Sequence, residues 1–154
     1  MTRPAPSIVA AIAALALAPI AAGQCLEQRI DNPMPAEDDS FGTGVWLEQG
    51  TLLLTEVRSA HAYARDGDGW SLVQSFDLRG GSGSRSWIDR ADFDGQRLIA
   101  GGSDEALVFV RDAGSFTLEQ RLPAPDPTFR SFGETVAIEG DTAIAGQRGY
   151  LWVY

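Results

Sequence analysis

The sequence predicts an all-β protein: four-stranded antiparallel blades of a β-propeller, about three of them in an incomplete or open propeller, behind an N-terminal signal peptide. Three observations carry this expectation. The chain repeats itself at a spacing of 45 to 46 residues. Each repeat holds short apolar runs, many alternating apolar with polar, separated by Gly- and Asp-rich turn sequences. Nothing after residue 23 sustains a helical period. Four strands in about 45 residues is the size of a propeller blade, and such a blade buries its two faces only by stacking on neighbours.

The first segment lies outside the repeat. Residues 1–23 carry Arg3, an apolar run from Ile8 to Ala18, Pro19, and the small residues Ala21, Ala22 and Gly23. A positive head, a short apolar stretch and a small-residue exit form a secretory signal peptide. The run is too short for a membrane span, which needs roughly 20 apolar residues. The expected domain is therefore 24–154, secreted and extracellular, with the periplasm as the other compartment. Cys25 is the single cysteine, so no internal disulfide forms. Gln24 stands where a lipoprotein signal places a small residue.

The repeat units lie near 41–86, 87–131 and 132–154. Phe41-Gly42-Thr43-Gly44-Val45-Trp46-Leu47-Glu48 and Phe132-Gly133-Glu134-Thr135-Val136-Ala137-Ile138-Glu139 open the first and third. Trp87-Ile88-Asp89-Arg90-Ala91-Asp92-Phe93-Asp94 opens the second, with Trp87 in the Phe slot. Second strands follow at Thr51–Thr55, Leu98–Gly101 and Ala143–Gly146. Third strands follow at Ala62–Asp66, Leu107–Asp112 and Leu151–Tyr154, the last aligning Trp152 with Tyr63 and Phe109. Fourth strands follow at Trp70–Phe76 and Phe116–Leu122. The third unit has no fourth strand after it. Leu26-Glu27-Gln28-Arg29-Ile30 nearly duplicates Leu118-Glu119-Gln120-Arg121-Leu122, so the segment 25–30 is expected to be the fourth strand of the third unit. The turns Gln49-Gly50, Asp66-Gly67-Asp68-Gly69, Asp112-Ala113-Gly114-Ser115 and Gly140-Asp141 supply the positive φ of tight hairpins.

Composition excludes several function classes. A formal charge of -9 argues against nucleic acid, whose binding needs a basic face. At 44% hydrophobic, with four Trp and seven Phe, the chain carries enough apolar surface to fold. All twelve basic residues are Arg, which with the Ala, Gly and Pro content suggests a GC-rich bacterial genome.

Two Ser-Phe-Gly openings, at Ser40 and Ser131, the run Val136-Ala137-Ile138-Glu139-Gly140-Asp141-Thr142-Ala143-Ile144-Ala145-Gly146, and Ala106–Arg111 followed by Phe116 and Leu118-Glu119-Gln120 carry a family likeness. Over essentially the whole of 24–154 the chain resembles the FG-GAP repeat proteins, the integrin-like β-propeller kind, in their bacterial secreted form. Unit two departs with Trp87-Ile88 in place of Phe-Gly, and unit one with Gln49-Gly50 where Gly140-Asp141 stands. The resemblance implies a secreted, non-catalytic binding, adhesion or structural module, whose partner is an extracellular protein or polysaccharide. The alternative is a fragment of a secreted propeller-based hydrolase or lyase.

The candidate sites are sparse. Some relatives bind Ca²⁺ through an Asp-rich loop, and the weak candidates for such a site are Asp66, Asp68, Asp92 and Asp94. Calcium takes six to eight oxygens. Asp66 and Asp68 read better as a hairpin turn, and Asp92 and Asp94 as outward positions of a strand; no cofactor and no catalytic residue are expected. Glu37-Asp38-Asp39 reads as a solvated loop. His61 is the only histidine, so any Ser-His-Asp system would use it, and no nucleophile motif adjoins it. Gly80-Gly81-Ser82-Gly83-Ser84 lacks the Lys of a phosphate cradle. Recurring aromatics (Trp70 with Phe116, Trp87 with Phe132, Tyr63 with Phe109) read as packing between blades, while Trp46, aligned with Ala91 and Ala137, is the one to test for exposure. Propellers close with four to eight blades. Three are too few, so the chain is expected to be a piece of a longer propeller, an open wedge, or a unit of a multi-chain assembly that self-associates through exposed blade faces.

Overall fold

A computed structural model describes residues 28–35, 40–79, 90–126, 132–147 and 149–154. Residues 1–23, Cys25, the Glu37–Asp39 acids, the Gly80–Ser84 loop, Trp87 and Ser131 lie outside the described residues. The described residues are all β, with no helix among them and so none long and apolar enough to cross a membrane. The strands among the described residues are β1 Gly44–Glu48, β2 Thr51–Thr55, β3 Ser59–Asp66, β4 Gly69–Asp77, β5 Arg90–Phe93, β6 Arg97–Gly101, β7 Glu105–Asp112, β8 Ser115–Pro123, β9 Thr135–Glu139, β10 Thr142–Gln147 and β11 Tyr150–Val153. They form three separate antiparallel meanders. Sheet I is β1-β2-β3-β4, sheet II β5-β6-β7-β8 and sheet III β9-β10-β11.

The repeat extends to fine geometry. The third-to-fourth strand ladder is interrupted between Ala62 and Tyr63 in sheet I, and between Val108 and Phe109, 46 residues on, in sheet II. The connection leaving each fourth strand is tied the same way: Leu78 N–H donates to Arg58 O at 2.8 Å and Ala124 N–H to Asp104 O at 3.0 Å. Two hairpins, Gln49-Gly50 and Ala113-Gly114, place both central residues at positive φ, the I′ geometry that matches strand twist.

One correction concerns the last strand. Ala145 pairs with Trp152 as Ala100 pairs with Leu107 and Leu54 with His61. Trp152 therefore shares a slot with Leu107 and His61, and Tyr154 takes the slot of Tyr63 and Phe109. Strand side chains alternate with period two, so a one-residue slip moves every side chain to the other face; the apolar run Leu151–Tyr154 fits either register in sequence alone.

The core lies between the sheets. Each sheet turns a trailing face toward the next and a leading face toward the one before. Leu53, Ala60, Ala62, Leu78 and Phe76 trail from sheet I onto Phe93, Leu98, Ala100, Leu107, Phe109 and Phe116 of sheet II. Phe76 stacks on Phe116 at 5.1 Å and tilts against Phe109 at 5.4 Å. The corresponding residues Ile99, Ala106, Val108 and Leu122 trail from sheet II onto Ile138, Ala143, Ala145 and Trp152 of sheet III, with Phe132 wedged among them. A four-stranded meander exposes two apolar faces, and burial of a large side chain stabilises by about 1.5–3 kcal/mol, so the sheets stack. Among the described residues sheet III has three strands. The described part of the segment 25–30, Gln28–Ile30, lies against sheet I, where Gln28 bonds Trp70.

Candidate functional site

Both Phe-Gly pairs perform one job. Gly42 and Gly133 sit at φ +84 and +90, where an L side chain is strained. Their N–H groups donate to the carbonyls of Thr55 at 3.0 Å and Gly146 at 2.9 Å, the same slot in two units. The preceding ring packs inward: Phe132 lies fully buried against Trp152 at 5.4 Å, and Phe41 against His61 at 5.5 Å. Gly101 lets this turn approach sheet II, since a Cβ there would run into the Gly133 carbonyl. Phe132 N–H also donates to Ser103 O at 3.0 Å, sewing sheet III to sheet II.

The candidate carboxylates fall into two separate places. Asp66 ends β3 and Asp68 lies in the following turn; both are exposed, and Asp66 accepts the Ser71 hydroxyl at 3.3 Å. Asp92 and Asp94 face sheet III and not open solvent. Asp92 Oδ2 accepts the N–H of Ile138 at 2.9 Å. Asp94 Oδ1 accepts those of Gln96 at 2.8 Å and Arg97 at 2.6 Å, and its Oδ2 accepts that of Gly140 at 2.9 Å. Burial opposes the charge on Asp94, but the N–H groups of Arg97, Gln96 and Gly140 outweigh it and hold the carboxyl below its ordinary range. Arg97 completes the strut. It binds Glu119 at 2.8 Å and reaches the Gly140 carbonyl at 3.2 Å and Asp141 at 3.1 Å. That guanidinium lowers the Glu119 carboxyl through its hydrogen bond. Among the described residues no group of three or more His, Cys, Asp or Glu is arranged to hold a metal ion.

His61 has neighbours that the sequence did not place beside it. Its Nδ1 lies 2.9 Å from Ser75 Oγ, across the β3–β4 ladder, and its Nε2 lies 3.7 Å from Glu56 Oε1. Glu56 in turn accepts the Asn32 amide at 3.2 Å. Ser, His and Glu thus stand in line, but the imidazole is completely buried in the leading face of sheet I. A nucleophilic serine must meet its substrate together with its base; here the ring is sealed under Phe41. Its slot holds Leu107 in sheet II and Trp152 in sheet III, which marks it as a packing position, with Nδ1 bonded to Ser75 and the buried Nε2 outside hydrogen-bond distance of Glu56.

Glutamine forms the remaining device. Gln74 accepts the N–H of Phe116 at 2.6 Å and donates to its carbonyl at 3.0 Å. Gln28, 46 residues earlier, does the same to Trp70, at 2.6 and 3.0 Å. Gln120 holds the third such slot. It lines a cavity of about 160 Å³ with Arg97, Leu122, Asp141, Thr142 and Tyr154. The aromatic candidates are mostly spent on packing: Tyr63, Phe109 and Phe116 are buried, and Trp46 is half-buried against the cluster between sheets I and II. Trp70 is covered in part by Arg65, whose guanidinium stands 5.5 Å from the ring.

No protein-family model, no curated protein and no solved structure matches this chain.

Proposed function

We propose that the protein is a secreted FG-GAP-like repeat protein whose sheets are blades of a β-propeller, acting as a non-catalytic binding or adhesion module toward an extracellular protein or polysaccharide. The observation that carries the reading is the common role of Phe41-Gly42 and Phe132-Gly133: one positive-φ glycine, one bond back to the end of the second strand, one ring turned inward. A motif with the same mechanical task in separate units belongs to a repeat scaffold, and scaffolds of this kind present loops and exposed faces to partners. Residues 1–23 are the export signal in this reading.

The test pairs localisation with binding. Mass spectrometry of the protein from the culture medium or periplasm should find an N-terminus near residue 24. The purified protein should bind saturably to one member of a panel of extracellular polysaccharides and surface proteins. His61→Ala and His61→Leu, the latter carrying the residue found in that slot of sheet II, should leave binding intact. A hydrolase or lyase activity present in the parent and abolished in a folded His61→Leu would overturn the reading in favour of a propeller-based enzyme.

A further inference from the structure

The sequence holds three Asp-Gly links, at Asp66-Gly67, Asp68-Gly69 and Asp94-Gly95. Such a link rearranges without an enzyme. The glycine nitrogen attacks the Asp Cγ, a C–N bond forms, and the amide proton leaves with the carboxyl hydroxyl as water. Water then reopens the five-membered imide at either carbonyl. Opening at Cγ restores Asp; opening at the Asp carbonyl carbon leaves the chain running through Cβ, as isoaspartate. Glycine favours the attack because no Cβ shields its nitrogen.

The three links sit in different surroundings. Asp94 cannot swing onto the Gly95 nitrogen while its own oxygens are held. Its Oδ1 accepts the N–H groups of Gln96 at 2.8 Å and Arg97 at 2.6 Å, and its Oδ2 accepts that of Gly140 in sheet III at 2.9 Å. Gly95 is also crowded, since a Cβ there would meet the Gln49 side chain at 2.7 Å. Asp68 is exposed, but Gly69 is fixed by its pairing with Asp66 and by Gln28, whose Oε1 would lie 3.1 Å from a Cβ at that glycine. Asp66-Gly67 is the open case. Both residues are exposed. Gly67 lies in the turn beyond the β3–β4 ladder, at φ +59, and a Cβ there would meet nothing within 4 Å. The Asp66 carboxylate accepts only the Ser71 hydroxyl at 3.3 Å among the described residues.

We infer that Asp66-Gly67 is a site of spontaneous isoaspartate formation in the folded protein, and that the fold withholds the same reaction from Asp94-Gly95. The change reaches beyond the turn. Isoaspartate inserts one backbone carbon into a two-residue hairpin, whose length sets the strand register. The closing pair of Asp66 with Gly69 is the first to be lost. The next pair joins Arg65 to Trp70, and the Trp70 N–H donates to Gln28 Oε1 at 2.6 Å. Ageing at Asp66 therefore loosens the clasp by which Gln28 is held on sheet I.

The experiment ages the purified full chain in warm neutral buffer, folded and in urea, and maps isoaspartate by tryptic digestion and mass spectrometry. Cleavage after Arg65, Arg79, Arg90 and Arg97 places Asp66 and Asp94 in separate peptides, 66–79 and 91–97. Isoaspartate at Asp66 should accumulate in the folded protein. At Asp94 it should form about a hundredfold more slowly in the folded chain than in urea, because three hydrogen bonds must open first. Asp66→Glu, whose longer side chain closes the ring less readily, should abolish the signal, and Asp68→Glu should leave it. The Trp70 amide should exchange faster in the aged fraction than in fresh protein. Isoaspartate that forms at Asp66 only in urea, or as fast at Asp94 as at Asp66 in the folded chain, or that survives Asp66→Glu, overturns the assignment. Unchanged exchange at Trp70 in the modified fraction overturns the loosening of the clasp.

Discussion

The glutamine clasps give a perturbation with internal controls. Gln74→Ala removes two hydrogen bonds, at 2.6 and 3.0 Å, that tie the edge of sheet I to the Phe116 backbone. Each is a partly buried neutral bond, and such bonds contribute about 1 kcal/mol net, so the expected loss is about 2 kcal/mol. That is roughly a thirtyfold change in the unfolding constant, or roughly 5–10 °C in Tm for a chain of this size. Gln28→Ala breaks the same pair of contacts in a more exposed setting, where water competes, and should cost about half as much. Gln120→Ala breaks no such clasp among the described residues and should be nearly silent. Urea unfolding followed by tryptophan fluorescence measures all three. If Gln74→Ala proves as silent as Gln120→Ala, the polar clasps add nothing to the stacking and the reasoning fails.

The other predictions bear on the same joints. Gly101→Ala should abolish cooperative unfolding or cost more than about 3 kcal/mol, because backbone and not a movable side chain meets the new Cβ; Gly67→Ala, strained at φ +59 but in open space, should cost about 1 kcal/mol, and thermal melts compare the two. Phe132→Ala should lose about 3–5 kcal/mol in denaturant titration, since its ring is fully buried between sheets II and III. Asp94 has its carboxyl held below the ordinary range, so it contributes stability above the unfolded pKa of about 4 that is lost as pH falls through the folded value. The parent should therefore lose more stability than Asp94→Asn between neutral pH and about pH 3, as melts at each pH would show.

The stacked meanders were legible because packing imposes apolar character on the same slot. Ala60 with Ala106, Ala62 with Val108 and Phe76 with Leu122 recur as apolar residues because each slot faces the gap between sheets. The polar struts were not legible. Asp92 and Asp94 look like outward strand positions, since a carboxylate that accepts a neighbouring sheet's amides has the same spacing in sequence as a solvated one. Gln74 gave no sign of its role alone; the signal was its recurrence with Gln28 and Gln120. Ser75 and Glu56 came beside His61 only through the strand register, which no local motif encodes. The slip at Trp152 has the same root, because an unbroken apolar strand carries no mark of its own phase.

The central claim is that three copies of one meander are sealed face to face by side chains that reach the backbone of the next sheet. Native-state hydrogen exchange tests it most directly at the amides of Phe116, Ile138 and Gly140, whose acceptors are the side chains of Gln74, Asp92 and Asp94 on the preceding sheet. Protection of these three comparable to that of interior ladder amides, with Ile138 losing its protection in Asp92→Ala, is the predicted result. Exchange at the rate of free edge strands in the parent protein would contradict the stacked arrangement.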